Sequence, residues 1–164
     1  MKHIVTITRS RRGLGYPEAY IDIRRAVRAA LDAEDVSEPC TVDVTLTDDE
    51  HIRAINKQFR KVDAATDVLS FPLCELTPGR FDPEACGWDP DSETIPLGDI
   101  VLSLERCAAQ GEEFGHGFAH ELMYLTVHST LHLLGYDHTD EGAMKKQMRA
   151  REKHIMAMLE EKEK

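Results

Sequence analysis

His128-Ser129-Thr130-Leu131-His132-Leu133-Leu134-Gly135-Tyr136-Asp137-His138 is the stretch on which the reading of this chain turns. Its spacing is H-x3-H-x2-G-x2-H. On a helix, residues four apart lie one turn from each other, so His128 and His132 share a face. Gly135 can take positive φ and end that helix. The chain then turns back and can bring His138 to the same point. Three neutral imidazoles with no fourth protein ligand in the motif describe zinc with one open coordination position, the arrangement of catalytic rather than structural zinc. The spacing predicts a metal-dependent hydrolase.

The same spacing occurs in the zinc segment of the metzincin proteases, H-E-x-x-H-x-x-G-x-x-H. Their Glu is the general base; here Ser129 holds that place. A hydroxyl with no basic partner cannot take a proton at neutral pH. The metal geometry is shared, the peptide-cleaving apparatus is not.

Working outward, Phe118 to Leu134 is apolar nearly all round and reads as a helix through the core that carries both histidines. A last helix, about Glu141 to Glu160, has Met144, Met148, Ile155 and Leu159 at core spacing. Upstream, residues 3–8 suit an edge strand, and a helix follows Pro17 to about Asp35. Thr41 to Thr47 alternates as a strand, and Thr47, Asp48 and Asp49 are N-cap candidates for a helix with Ile52, Ile55 and Phe59 on its buried side. Val68 to Phe71 and Ile100 to Leu104 are short strands. Between them lies an irregular segment with five of the seven prolines and several acids, a poor RNA contact to which no chemistry is assigned. The order predicts an α+β fold, a small mixed β-sheet packed with helices, with a zincin-like metal helix near the C-terminus and one domain over residues 1–164.

Composition sets bounds. With 164 residues, 41% of them hydrophobic, the chain can build a real core. No run approaches the roughly 18 apolar residues of a membrane span. The N-terminus lacks the apolar block of a signal peptide, so the expected compartment is the cytoplasm. Cys40, Cys74, Cys86 and Cys107 form no CxxC pair and are expected to be reduced, structurally incidental thiols. Net charge is −10, yet residues 1–61 hold 11 Lys/Arg against 10 Asp/Glu. Arg9, Arg11 and Arg12, then Arg24, Arg25 and Arg28, then Arg53, Lys57, Arg60 and Lys61 form clusters. They make either a local basic face for phosphates or an ordinary solvated surface.

Gly98-Asp99-Ile100, His116, Glu121, Asn56-Lys57-Gln58-Phe59-Arg60, Thr66-Asp67-Val68-Leu69-Ser70-Phe71-Pro72 and above all Val127 to His138 resemble the YbeY-type endoribonucleases, bacterial rRNA maturation factors. The resemblance runs from the strand near Val42 to the final helix. The family commonly has Gly where Ser129 stands, and its proline-rich loop is usually shorter. The resemblance implies a zinc-dependent, single-strand-directed endoribonuclease. Such an enzyme matures rRNA, notably the 16S 3′ end, and takes part in ribosome quality control. It implies His128, His132 and His138 as zinc ligands and Arg60 as a functional arginine. Its implied partners are the small ribosomal subunit, that subunit's proteins and an assembly GTPase.

Zinc lowers the pKa of bound water towards roughly 7, and phosphodiester cleavage gathers charge on non-bridging oxygens that the guanidinium of Arg60 can meet. Lys57 and Arg53 could extend a phosphate track, and His116 could touch substrate. Asp137 and Asp99 are candidates to orient a ligand imidazole, or are turn caps. Glu121 is expected to fix the helix. Two other classes stand beside the ribonuclease: a zinc metalloprotease, and a non-catalytic ribosome-assembly module with structural zinc.

Overall fold

The computed structural model describes residues 3–137 and 142–162, and the side chains within them except that of Lys162. Its centre is a strand, β2 (Cys40–Thr47), whose alternation buries Val42, Val44 and Leu46 on one face. Parallel neighbours flank it: β1 (Ile4–Arg9) on one side and β4 (Ile95–Ser103) on the other. β3 (Val68–Pro72) pairs antiparallel with β4, giving the mixed order β1-β2-β4-β3. β4 begins well before the expected Ile100. Leu97 is an extra residue at a bulge, since Thr41 pairs with Pro96 but Val42 with Gly98, and a bulge breaks the period by which a strand is read.

Five helices complete the fold. α1 (Ala19–Ala33) and α4 (Phe118–Leu133) pack together on one face of the sheet, and α5 (Ala143–Lys162) lies against both. The main core forms there, from Ile23, Leu31, Ile100, Leu102, Leu122, Leu131, Met148 and their neighbours. α2 (Asp49–Arg60) covers the opposite face over a smaller cluster of Ile52, Leu69 and Val101. α3 (Leu104–Glu113) packs on α4. The sequence reading missed α3, whose polar, glycine-containing run gives little apolar period. Phe59, expected on the buried side of α2, is 61% exposed and meets Phe71 edge-on with ring centroids 5.4 Å apart.

Asp48, one of three cap candidates, is the N-cap of α2. Its carboxylate accepts the backbone N–H of His51 at 2.9 Å and the Nε–H of Arg11 at 2.6 Å. The His51 backbone donor, then Arg11, hold this carboxyl well below the usual carboxylate range despite its burial. Arg9 bonds the Tyr20 hydroxyl and the carbonyls of Gly15 and Tyr16. Arg9 and Arg11 therefore tie the N-terminal loop down and do not form an open basic face.

The cysteine expectation is corrected. Cys74 and Cys86 form a disulfide, with Cα atoms 5.0 Å apart, closing the proline-rich segment on itself. Only Cys40 and Cys107 are buried free thiols. Chain reversal over this segment makes the pair, and no sequence spacing announces it. No described helix is long and apolar enough to cross a membrane.

Candidate active site

The H-x3-H-x2-G spacing works through the end of α4. Gly135, at φ +103, follows Leu134. The Tyr136 N–H donates to the Leu131 carbonyl and the Gly135 N–H to the His132 carbonyl, both at 3.1 Å. These two bonds define a Schellman motif. A Cβ on Gly135 would lie 2.2 Å from the Leu76 carbonyl oxygen, so only glycine lets the loop approach.

The turn sends the Tyr136 carbonyl back over the helix, where it accepts from His132 Nδ1 at 2.8 Å. His128 Nδ1 meets the carboxylate of Glu152, on α5, at 2.6 Å. A carbonyl and a carboxylate can only accept here, so each ring donates through Nδ1, and a neutral ring then presents Nε2 as a lone pair. The two Nε2 atoms stand 3.1 Å apart. Facing lone pairs repel, and a cation held between them relieves that repulsion. Two nitrogens around a tetrahedral ion with bonds of about 2.0–2.1 Å stand roughly 3.3 Å apart, so the pair suits zinc. His138, the third expected ligand, lies outside the described residues, and among those no group of three His, Cys, Asp or Glu is gathered for a metal.

The imidazoles open into a cleft of about 690 Å³. One wall is the end of α4 and its turn: His128, His132, Gly135, Tyr136 and Asp137. Arg60, Thr66, Asp67, Val68, Leu69 and Ser70 form another part of the lining. Arg60 arrives there because α2 stops at Lys61, in the left-handed region at φ 62, and buried Asn56 holds the returning loop through the Ala64 carbonyl at 2.9 Å. β3 is the edge of the sheet, so its outer backbone groups border the cleft. The third wall is a correction: Pro72, Cys74, Glu75 and Leu76, from the segment assigned no chemistry, line the cleft.

Other expected residues fall elsewhere. Asp99 is not brought to the imidazoles. A Cβ on Gly98 would strike Leu133 of α4, so the next residue points to the opposite face of the sheet. There Asp99 pairs in register with Asp43, and partial burial, then that neighbouring carboxylate, raise its pKa. Arg53 bonds Asp63 at 2.7 Å on an exposed surface, and neither it nor Lys57 lines the cleft. His116 Nε2 lies 3.1 Å from Glu121, also outside the cleft. Glu121 is only 2% exposed and accepts from Gln110 at 2.7 Å, and Gln110 also donates to Asp67. Glu121 thus fixes α4 to α3 and the start of β3. Ser129, where the proteases carry their base, is fully buried.

Glu152 escaped the sequence reading. The signal was present: on α5 it falls on the stripe of Met148, Ile155, Met156 and Leu159, and an acid on an apolar stripe asks for a partner.

The family model described as endoribonuclease YbeY matches residues 11–160. A Caldanaerobacter subterraneus protein named endoribonuclease YbeY is 48% identical over 135 residues, 82% of this chain and 84% of its own. One of the same name from Clostridium kluyveri is 44% identical over 140 residues, 82% of this chain and 85% of its own. The solution structure of TM1509 from Thermotoga maritima superposes with TM-score 0.58 at 23% identity, over 97% of this chain and 93% of that one, a likeness of fold.

Proposed function

The chain belongs to the endoribonuclease YbeY family, and from that premise we propose that it is a zinc-dependent endoribonuclease cutting single-stranded RNA in rRNA maturation, 16S 3′-end processing included. The observation that carries the metal reading is the pair of Nε2 atoms converging at the cleft, each ring held through Nδ1. His128 and His132, with His138 as the third ligand, would hold the ion. Bound there, zinc supplies Lewis acidity beside the scissile phosphodiester.

The chain's own groups do the rest. Arg60 offers a permanently charged planar fork to the non-bridging oxygens as charge gathers on them. Thr66, Ser70 and the outer backbone of β3 give hydrogen-bonding groups that do not depend on base identity, suited to an extended strand. Asp137 lines the cleft and directly precedes His138 in the sequence, and in this reading its carboxylate is the group that would orient the His138 imidazole. The small ribosomal subunit and its assembly factors are the partners this reading entails, in the cytoplasm.

A labelled single-stranded RNA should be cut by the zinc-loaded protein, spared after chelation, and cut again when zinc is returned. His132→Ala should abolish cleavage, and Arg60→Ala should lower its rate by about 10²–10³-fold without lowering the melting temperature. Folded, zinc-loaded protein that cuts no RNA would sink the proposal. The metalloprotease reading has no base at position 129, where a serine stands and is fully buried.

A further inference from the structure

We propose that Glu152 is the positioning residue of the metal centre: it fixes the tautomer and orientation of His128 from α5, so that Nε2 faces the ion. The inference rests on the zinc reading above and goes past it to how the ligand is made ready. Glu152 is 4% exposed, so its carboxylate sits where an unpartnered charge would be costly. Both of its oxygens are engaged at the site. Oε2 is 2.6 Å from His128 Nδ1, and Oε1 accepts from the Tyr124 hydroxyl at 3.2 Å. Burial, then Glu152 itself, push the Tyr124 hydroxyl up to about 12, so it stays protonated and remains a donor.

Tyr124 and His128 are one turn apart on α4, so a single carboxylate from α5 spans two successive turns of the ligand helix. Free imidazole favours its proton on Nε2, the atom a metal would need. The carboxylate reverses that preference by accepting from Nδ1, and its charge makes Nε2 a stronger donor. His132 receives the same service from a backbone carbonyl, which no side-chain substitution removes. Of the two described imidazoles, His128 is therefore the one whose orientation a side-chain substitution, at Glu152, can retune.

The test compares wild type, Glu152→Gln and Glu152→Ala. Zinc affinity is measured by competition with a chromophoric chelator, and the His128 tautomer by long-range proton–nitrogen NMR of the metal-free proteins at mildly alkaline pH. Ala should weaken zinc binding about 10–100-fold and shift His128 towards the Nε2–H tautomer. Gln, which can still accept from Nδ1, should hold the tautomer and recover part of the affinity. Because Ala also leaves a cavity, the Gln variant keeps the test valid should Ala fail to fold. Wild-type zinc affinity and an unchanged tautomer in the variants would overturn the role of Glu152 and leave the metal centre standing. Wild type that binds no zinc, with the tautomer still governed by Glu152, would overturn the metal reading and uphold the positioning.

Discussion

Ser129 marks a place where the sequence tolerates a local cost. Its Oγ is buried, with no hydrogen-bond partner among the described residues, in the middle of the helix that carries the imidazoles. A buried, unsatisfied hydroxyl costs about 1–3 kcal/mol, and alanine is the better helix former. Ser129→Ala should raise unfolding stability by about 1 kcal/mol in urea titrations and leave RNA cleavage unchanged. Asp48 shows the opposite balance, a buried carboxylate with both oxygens satisfied. Its folded-state pKa is depressed, so its stabilisation is full above the unfolded value of about 3.9 and is lost as pH falls towards the folded one. The stability gap between wild type and Asp48→Asn should therefore shrink as unfolding is measured at pH values falling below about 4. A gap that widens on acidification would contradict the assignment.

At the scale of elements, the end of α4 is where fold and site meet. One Schellman turn ends the helix, orients His132 through the Tyr136 carbonyl, and seats the loop at Leu76. Gly135→Ala should cost about 2–3 kcal/mol from backbone strain at positive φ, with more from the clash with Leu76. Because the same turn aims the ring, this variant should also lose zinc affinity, measured beside its melting curve. A variant that melts early but binds zinc as wild type does would separate the turn from the site. The Tyr136 hydroxyl adds a tie, donating to Glu34 at the end of α1, where Arg151 of α5 also binds at 2.7 Å. Three helices are thus stapled at the turn.

At the scale of the molecule, a chain of net charge −10 builds the cleft beside α2, with Arg60 the one lysine or arginine among the described residues that line it. The Cys74–Cys86 disulfide closes the segment that makes the third wall. Closing a loop of this length stabilises by about 3 kcal/mol through the unfolded state, so reductant should lower the melting temperature of wild type but not of Cys86→Ser. Equal melting curves with and without reductant would contradict this. Sequence alone determined the α+β order but for α3, the buried helix and the facing pair of imidazoles, because 2- and 3.6-residue periods and an i, i+4 spacing are local properties of a chain. That Arg60 lines the cleft was to be expected only through family resemblance, since an exposed arginine at the end of a helix carries no local sign of what it faces. Tertiary structure alone decided that Glu152 reaches His128, that Asp99 faces away, that Cys74 meets Cys86 and that the proline-rich segment walls the cleft. The facing of Asp99 depends on a bulge that sets a strand's register and the others on which segments pack together, and contacts between residues far apart in sequence leave no period to read.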